Sequence, residues 1–109
     1  MSRITTHVLD AVLGKPAAGV VLSLEMKNGD AWAVIATSST DADGRCADLA
    51  PGAAKGVYRL TFESGAYLAR NGRTGIYPGI SITFACDGEA HYHLPLLLSD
   101  NGYTTYRGS

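Results

Sequence analysis

Apolar residues recur at every second position in short runs, each closed by a turn rich in glycine or aspartate. Val57-Tyr58-Arg59-Leu60-Thr61-Phe62 is the cleanest run, and Ile80-Ser81-Ile82-Thr83-Phe84 repeats the pattern after Pro78-Gly79. A period of two sends alternate side chains to opposite faces of a half-buried strand. The same reading predicts strands over 4–10, 19–26, 32–37, 45–48, 91–98 and 103–107, eight in all. Asn28-Gly29 sits between two of them and supplies the positive φ that a tight hairpin needs. Asp41-Ala42-Asp43-Gly44 marks a second turn, and Ser64 to Asn71, with Tyr67 and Leu68, is the one helical stretch. Short strands at about ten-residue spacing predict an all-β sandwich of two sheets with one short helix.

Composition narrows this picture without naming a chemistry. A length of 109 residues suits one core and not two, so residues 1–109 read as a single domain. Apolar residues make up 46% and charged residues 17%, which argues against disorder and long solvated helices. Nine basic and ten acidic residues leave a formal net charge of −1, and no basic stripe is present to neutralise phosphates. A nucleic-acid partner is therefore not expected. No apolar run approaches the roughly 20 residues of a membrane helix. Thr5, Thr6, His7 and Asp10 break the stretch where a secretory signal would need unbroken apolar residues, which predicts a cytoplasmic protein. Cys46 and Cys86 lie among small or apolar residues and read as buried thiols.

Histidine is the residue type that invites a chemical reading. His91 and His93 are two apart in a predicted strand and so share a face. Such a pair can ligate a metal, but a closed site needs further ligands and none is nearby in sequence. His7 shares its face with Thr5 and Leu9, while Thr6, Val8 and Asp10 take the other. No Gly-x-Ser-x-Gly elbow is present, and Gly72-Arg73-Thr74-Gly75 lacks the spacing and lysine of a phosphate loop. On the residues alone, the reading ends at a sandwich whose histidines could be structural or chemical.

Three segments carry a resemblance that goes further. Thr5-Thr6-His7-Val8-Leu9-Asp10 with Gly14-Lys15-Pro16-Ala17 resembles the opening of the transthyretin-like family. Thr40-Asp41-Ala42-Asp43-Gly44-Arg45 resembles its internal turn. His91-Tyr92-His93-Leu94-Pro95-Leu96-Leu97-Leu98-Ser99, with the ending Tyr106-Arg107-Gly108-Ser109, resembles its C-terminal signature. That ending, together with His7, Arg45 and His93, matches the enzyme branch, the 5-hydroxyisourate hydrolases of urate breakdown. The thyroid-hormone carrier branch has another tail and other residues at those three positions. Asp41 stands where Asn is usual, Glu63 where many members have His, and Asp100-Asn101 where a Pro-aromatic pair is usual.

The resemblance implies a prealbumin-like sandwich of two four-stranded sheets and one short helix, assembled as a homotetramer, a dimer of dimers. Its active sites would lie in clefts where the dimers face each other across a channel. The implied reaction is hydrolysis of 5-hydroxyisourate, with His7, Arg45 and His93 catalytic and His7, Arg45, Tyr106 and Ser109 binding substrate. The resemblance implies no metal or cofactor, and a small molecule as the only non-self partner. Strand parity then expects His91, His93 and Pro95 on the channel side, with Tyr92, Leu94 and Leu96 inside the sandwich. The alternative is a non-catalytic carrier of a small aromatic ligand, which has no need of so polar a set.

Overall fold

The computed structural model describes residues 1–109. Its elements in chain order are β1 (Ser2–Asp10), β2 (Lys15–Pro16), β3 (Val21–Asn28), β4 (Ala31–Ser39), β5 (Arg45–Ala53), β6 (Gly56–Phe62), α1 (Ser64–Arg70), β7 (Ile80–Cys86), β8 (His91–Leu98) and β9 (Tyr103–Thr105). One sheet runs β4-β3-β6-β7, all antiparallel. In the other, β1 and β8 lie side by side in parallel, β9 flanks β8, and β5 and the two-residue β2 share the far edge of β1. The eight expected strands are all present. β2 is an addition, formed where the chain after Gly14 folds back onto Leu9 and Asp10.

Alternation in the sequence becomes burial in the sandwich. Ile4 and Val8 of β1, Leu22 and Leu24 of β3, Tyr58, Leu60 and Phe62 of β6, and Leu94, Leu96 and Leu98 of β8 fill the space between the sheets. Helix α1 closes one end with Tyr67 and Leu68. The hairpin between β3 and β4 turns through Gly29 and Asp30, with Gly29 at φ 65°. No helix is long and apolar enough to cross a membrane.

Most strand ends move by one or two residues from the sequence pattern, and two strands near the site have a physical reason for their change. β5 continues to Ala53 through Pro51-Gly52, because it is an edge strand whose pairing with β1 shifts register twice, and an edge tolerates proline. β9 stops at Thr105 instead of Arg107, yet Gly108 still bridges His93 in the same register. The gap falls where Tyr106 faces Pro95. Proline has no N–H to donate, and its carbonyl already accepts the Thr105 hydroxyl at 2.8 Å.

Candidate active site

The outer face of β1 carries Arg3, Thr5 and His7, and the neighbouring face of β8 carries His91, His93 and Pro95. Parallel register places Arg3 beside His91 and Thr5 beside His93. On the other side of β1, His7 pairs with Arg45 of β5. Three adjacent strands thus bring two segments from the start and end of the chain together with one from its middle. They border an open cavity of about 210 Å³ lined by Arg3, Thr5, Thr6, Arg45, Cys46, Ala47, His91, His93 and Ser109.

The turn before β5 sets two of these groups. Asp41 Oδ1 accepts the N–H groups of Asp43 and Arg45, each at 2.9 Å, so the carboxylate in place of Asn still organises the turn. Gly44 adopts φ 74°, and a Cβ there would lie 2.3 Å from the Val8 carbonyl. The turn therefore needs glycine to pass so close to β1. Its Asp43 carbonyl accepts a hydrogen bond from His7 Nε2 at 2.9 Å. That bond puts a proton on Nε2 and leaves Nδ1 as the free nitrogen of His7. The guanidinium of Arg45 takes part in none of the three ion pairs of the molecule, which are Arg59–Glu25, Arg73–Asp10 and Arg73–Asp100.

His93 is partly buried and its pKa is lowered from the usual histidine value. Desolvation is the main cause, with repulsion from His91, Arg45 and His7 adding to it. Both effects favour the neutral imidazole, the form able to accept a proton. Its Nδ1 lies 2.7 Å from Thr5 Oγ1, and the same oxygen lies 2.7 Å from His91 Nε2. The C-terminal segment closes the far side. Gly108 N–H donates to the His93 carbonyl at 2.7 Å, and a Cβ at Gly108 would come within 2.7 Å of His93 Cδ2. Arg107 stacks over Tyr92, 4.5 Å from the ring centroid, and anchors this segment.

Of the residues singled out in the sequence, Arg45, His93 and Ser109 border the cavity, and His7 stands beside it on β1. Tyr106 does not line it and is 54% exposed. Thr5 and Arg3 join the site without having been singled out. Parity already put Thr5 on the His7 face, but its meeting with two histidines depends on β8 lying next to β1. A larger cavity of about 520 Å³ lies elsewhere, beside Lys15, Tyr67 and Arg70, and holds no histidine. No cluster of three or more His, Cys, Asp or Glu side chains converges to hold a metal ion.

The HIUase/Transthyretin family model matches residues 4–108. The chain belongs to that family. A 5-hydroxyisourate hydrolase of Mesorhizobium japonicum is 45% identical over 114 residues, covering 98% of this chain and 92% of its own. The solved 5-hydroxyisourate hydrolase of Klebsiella pneumoniae aligns over 100% of both chains at 41% identity, with a TM-score of 0.91. Transthyretin from Sparus aurata gives a TM-score of 0.92 at 36% identity, over 99% of this chain and 97% of its own. The HIUase/Transthyretin backbone therefore serves proteins of two names almost equally well, and side chains must separate their functions.

Proposed function

We propose that this chain hydrolyses 5-hydroxyisourate, opening the lactam bond of its six-membered ring to give 2-oxo-4-hydroxy-4-carboxy-5-ureidoimidazoline. The observation that carries the reading is the convergence of His7, Arg45 and His93 on one face of three neighbouring strands beside an open cavity. Amide hydrolysis needs an activated water, a cation or donors for the oxyanion, and a proton for the departing nitrogen. His93 is neutral and takes the proton from water. Arg45, with no internal carboxylate to neutralise it, binds the ring carbonyls and the developing oxyanion. His7 shares the proton handling, held through Nε2 with Nδ1 free. Ser109 contributes a hydroxyl to the substrate's surroundings. No metal or cofactor takes part in this scheme.

The whole chain acts as one hydrolase domain, in the cytoplasm, as a homotetramer built from two dimers. The cavity is smaller than the roughly 300 Å³ at the low end of ligand pockets, as suits a half-cleft completed by a facing subunit. Exposed Tyr103 and Tyr106 on the C-terminal edge, with Tyr77 packed edge-on to Tyr103, offer the aromatic anchors of such contacts. Tyr106 then reaches substrate across the subunit contact.

The test follows the ultraviolet signal of freshly generated 5-hydroxyisourate, with spontaneous decay as the reference. Saturable acceleration by the wild-type protein, at a solution mass of four chains, is the expected result. Decay at the spontaneous rate would overturn the hydrolase reading. Tight binding of an aromatic ligand without turnover would favour a carrier.

A further inference from the structure

Thr5 is almost fully buried, at 5% exposure, and its hydroxyl lies within hydrogen-bond distance of two imidazoles. A hydroxyl has one hydrogen and so can donate to only one of them. When it donates to one ring, the other ring is satisfied by donating back to Oγ1. The state of His93 Nδ1 is thereby tied to the state of His91 Nε2. His93 works as a base at Nε2 only when its own proton sits on Nδ1, pointing at Thr5. The hydroxyl hydrogen of Thr5 then points at His91.

We propose that Thr5 and His91 form a proton relay behind His93, Thr5 as the positioning residue and His91 as the outer charge acceptor. The inference rests on the reading of His93 as the base. His93 Nε2 takes a proton from water and becomes an imidazolium. Its Nδ1–H bond then breaks, the proton joins Thr5 Oγ1, and the Thr5 hydroxyl hydrogen passes to His91 Nε2. His93 is then neutral with its proton on Nε2 while the positive charge rests on His91, and Nε2 becomes acidic enough for the departing nitrogen only as that charge returns. When Nε2 gives up that proton, the two transfers reverse and the site is restored. No proton is gained or lost over the cycle.

Surroundings favour this movement of charge. The charged and titratable side chains beside His93 and its cavity are Arg3 and His7 from β1, Arg45 and the buried thiol Cys46 from β5, and His91 from β8. None of these is a carboxylate side chain, so an imidazolium at His93 has no anionic side chain beside it. His91 is exposed, and solvent disperses a charge there.

Three variants and two readouts test the relay. Thr5→Val keeps shape and removes the hydroxyl, and is expected to lower kcat by about tenfold or more with KM nearly unchanged. Thr5→Ser restores the hydroxyl and is expected to regain most of the rate. Nitrogen-15 spectra of labelled histidines should show His91 and His93 titrating as a coupled pair in the wild type and separately in Thr5→Val. His91→Gln is exposed and should reproduce the loss of kcat if Thr5→Val fails to fold. Wild-type turnover in Thr5→Val and His91→Gln, or independent titration of the two histidines in the wild type, would overturn the relay. A wild-type protein that does not accelerate 5-hydroxyisourate decay would remove the functional reading instead, and the histidine titrations would still decide whether the two rings are coupled.

Discussion

Asp10 and Thr5 stand on the same strand, one turned into the core and the other turned away from it. Around Asp10 every acceptor site is taken. Its carboxylate accepts the N–H groups of Val12 and Leu13 at 3.1 Å, the Tyr67 hydroxyl at 2.8 Å and two Arg73 nitrogens at 2.6 and 3.2 Å. Arg73 reaches on to Asp100, so the cluster ties the end of β1 to α1 and to the turn before β9. Burial alone would raise the Asp10 pKa, yet the hydrogen bonds from Arg73 and Tyr67 outweigh it and hold the carboxyl at about 2. Around Thr5 the arrangement is the reverse. Two imidazoles share one hydroxyl, and beyond His7 the cation of Arg45 has no carboxylate partner. A polar cluster whose members are all satisfied holds structure together. One that leaves a cation and one nitrogen of each ring uncommitted is free to meet a substrate.

The sharpest way to break this contrast is to empty the first cluster. Asp10→Ala leaves Arg73, Tyr67 and two backbone N–H groups without their acceptor, and should destabilise the fold by about 3 kcal/mol or more. Denaturant unfolding measures this, and the protein that remains folded should keep its turnover. Acid acts on the same group. Because the folded pKa is depressed, the stabilisation is complete above about pH 4 and is lost as pH falls towards about 2, an effect of about 2 kcal/mol. An unfolding midpoint that ignores both changes would mean that Asp10 is not the structural half of the comparison.

A smaller effect is expected at the C-terminal segment, which the second cluster needs. Deleting Arg107 to Ser109, or adding a tag after Ser109, should cut turnover by about tenfold or more, because Gly108 and Ser109 pack against His93 and the cavity. An N-terminal tag should do much less. Equal activity in all three proteins would reduce the segment to a passive end. The smallest effect concerns His93 itself. Its depressed pKa keeps it neutral to lower pH than an ordinary histidine, and Arg45 is one of the causes. Histidine titration by nuclear magnetic resonance should place it below about 6.5 and show a rise in Arg45→Gln. An unchanged titration would separate Arg45 from the site electrostatically.

Much of this was legible in the sequence where the cause is local. Gly29 and Gly44 mark turns because their backbones need positive φ, and the alternation in β8 already put Tyr92 and Leu94 inward and the two histidines outward. The family's motifs pointed to His7, Arg45 and His93. What stayed hidden depends on distant pairing. Parallel placement of β8 beside β1 brings Thr5 to His91 and His93, and no spacing within either strand reveals it. The partner of Asp10 is Arg73, 63 residues further along the chain and just past α1, so Asp10 read only as a strand end. The break after Thr105 needed the knowledge that Pro95 lies opposite Tyr106.

The most direct measurement pairs turnover with stability in His7→Asn, Arg45→Ala and His93→Asn. Each variant is assayed by the loss of the 5-hydroxyisourate ultraviolet signal and by denaturant unfolding. The account predicts rates down by about a hundredfold to ten-thousandfold with unfolding midpoints close to wild type. Turnover within a few-fold of wild type in all three, or loss of activity that merely follows loss of folding, would contradict it.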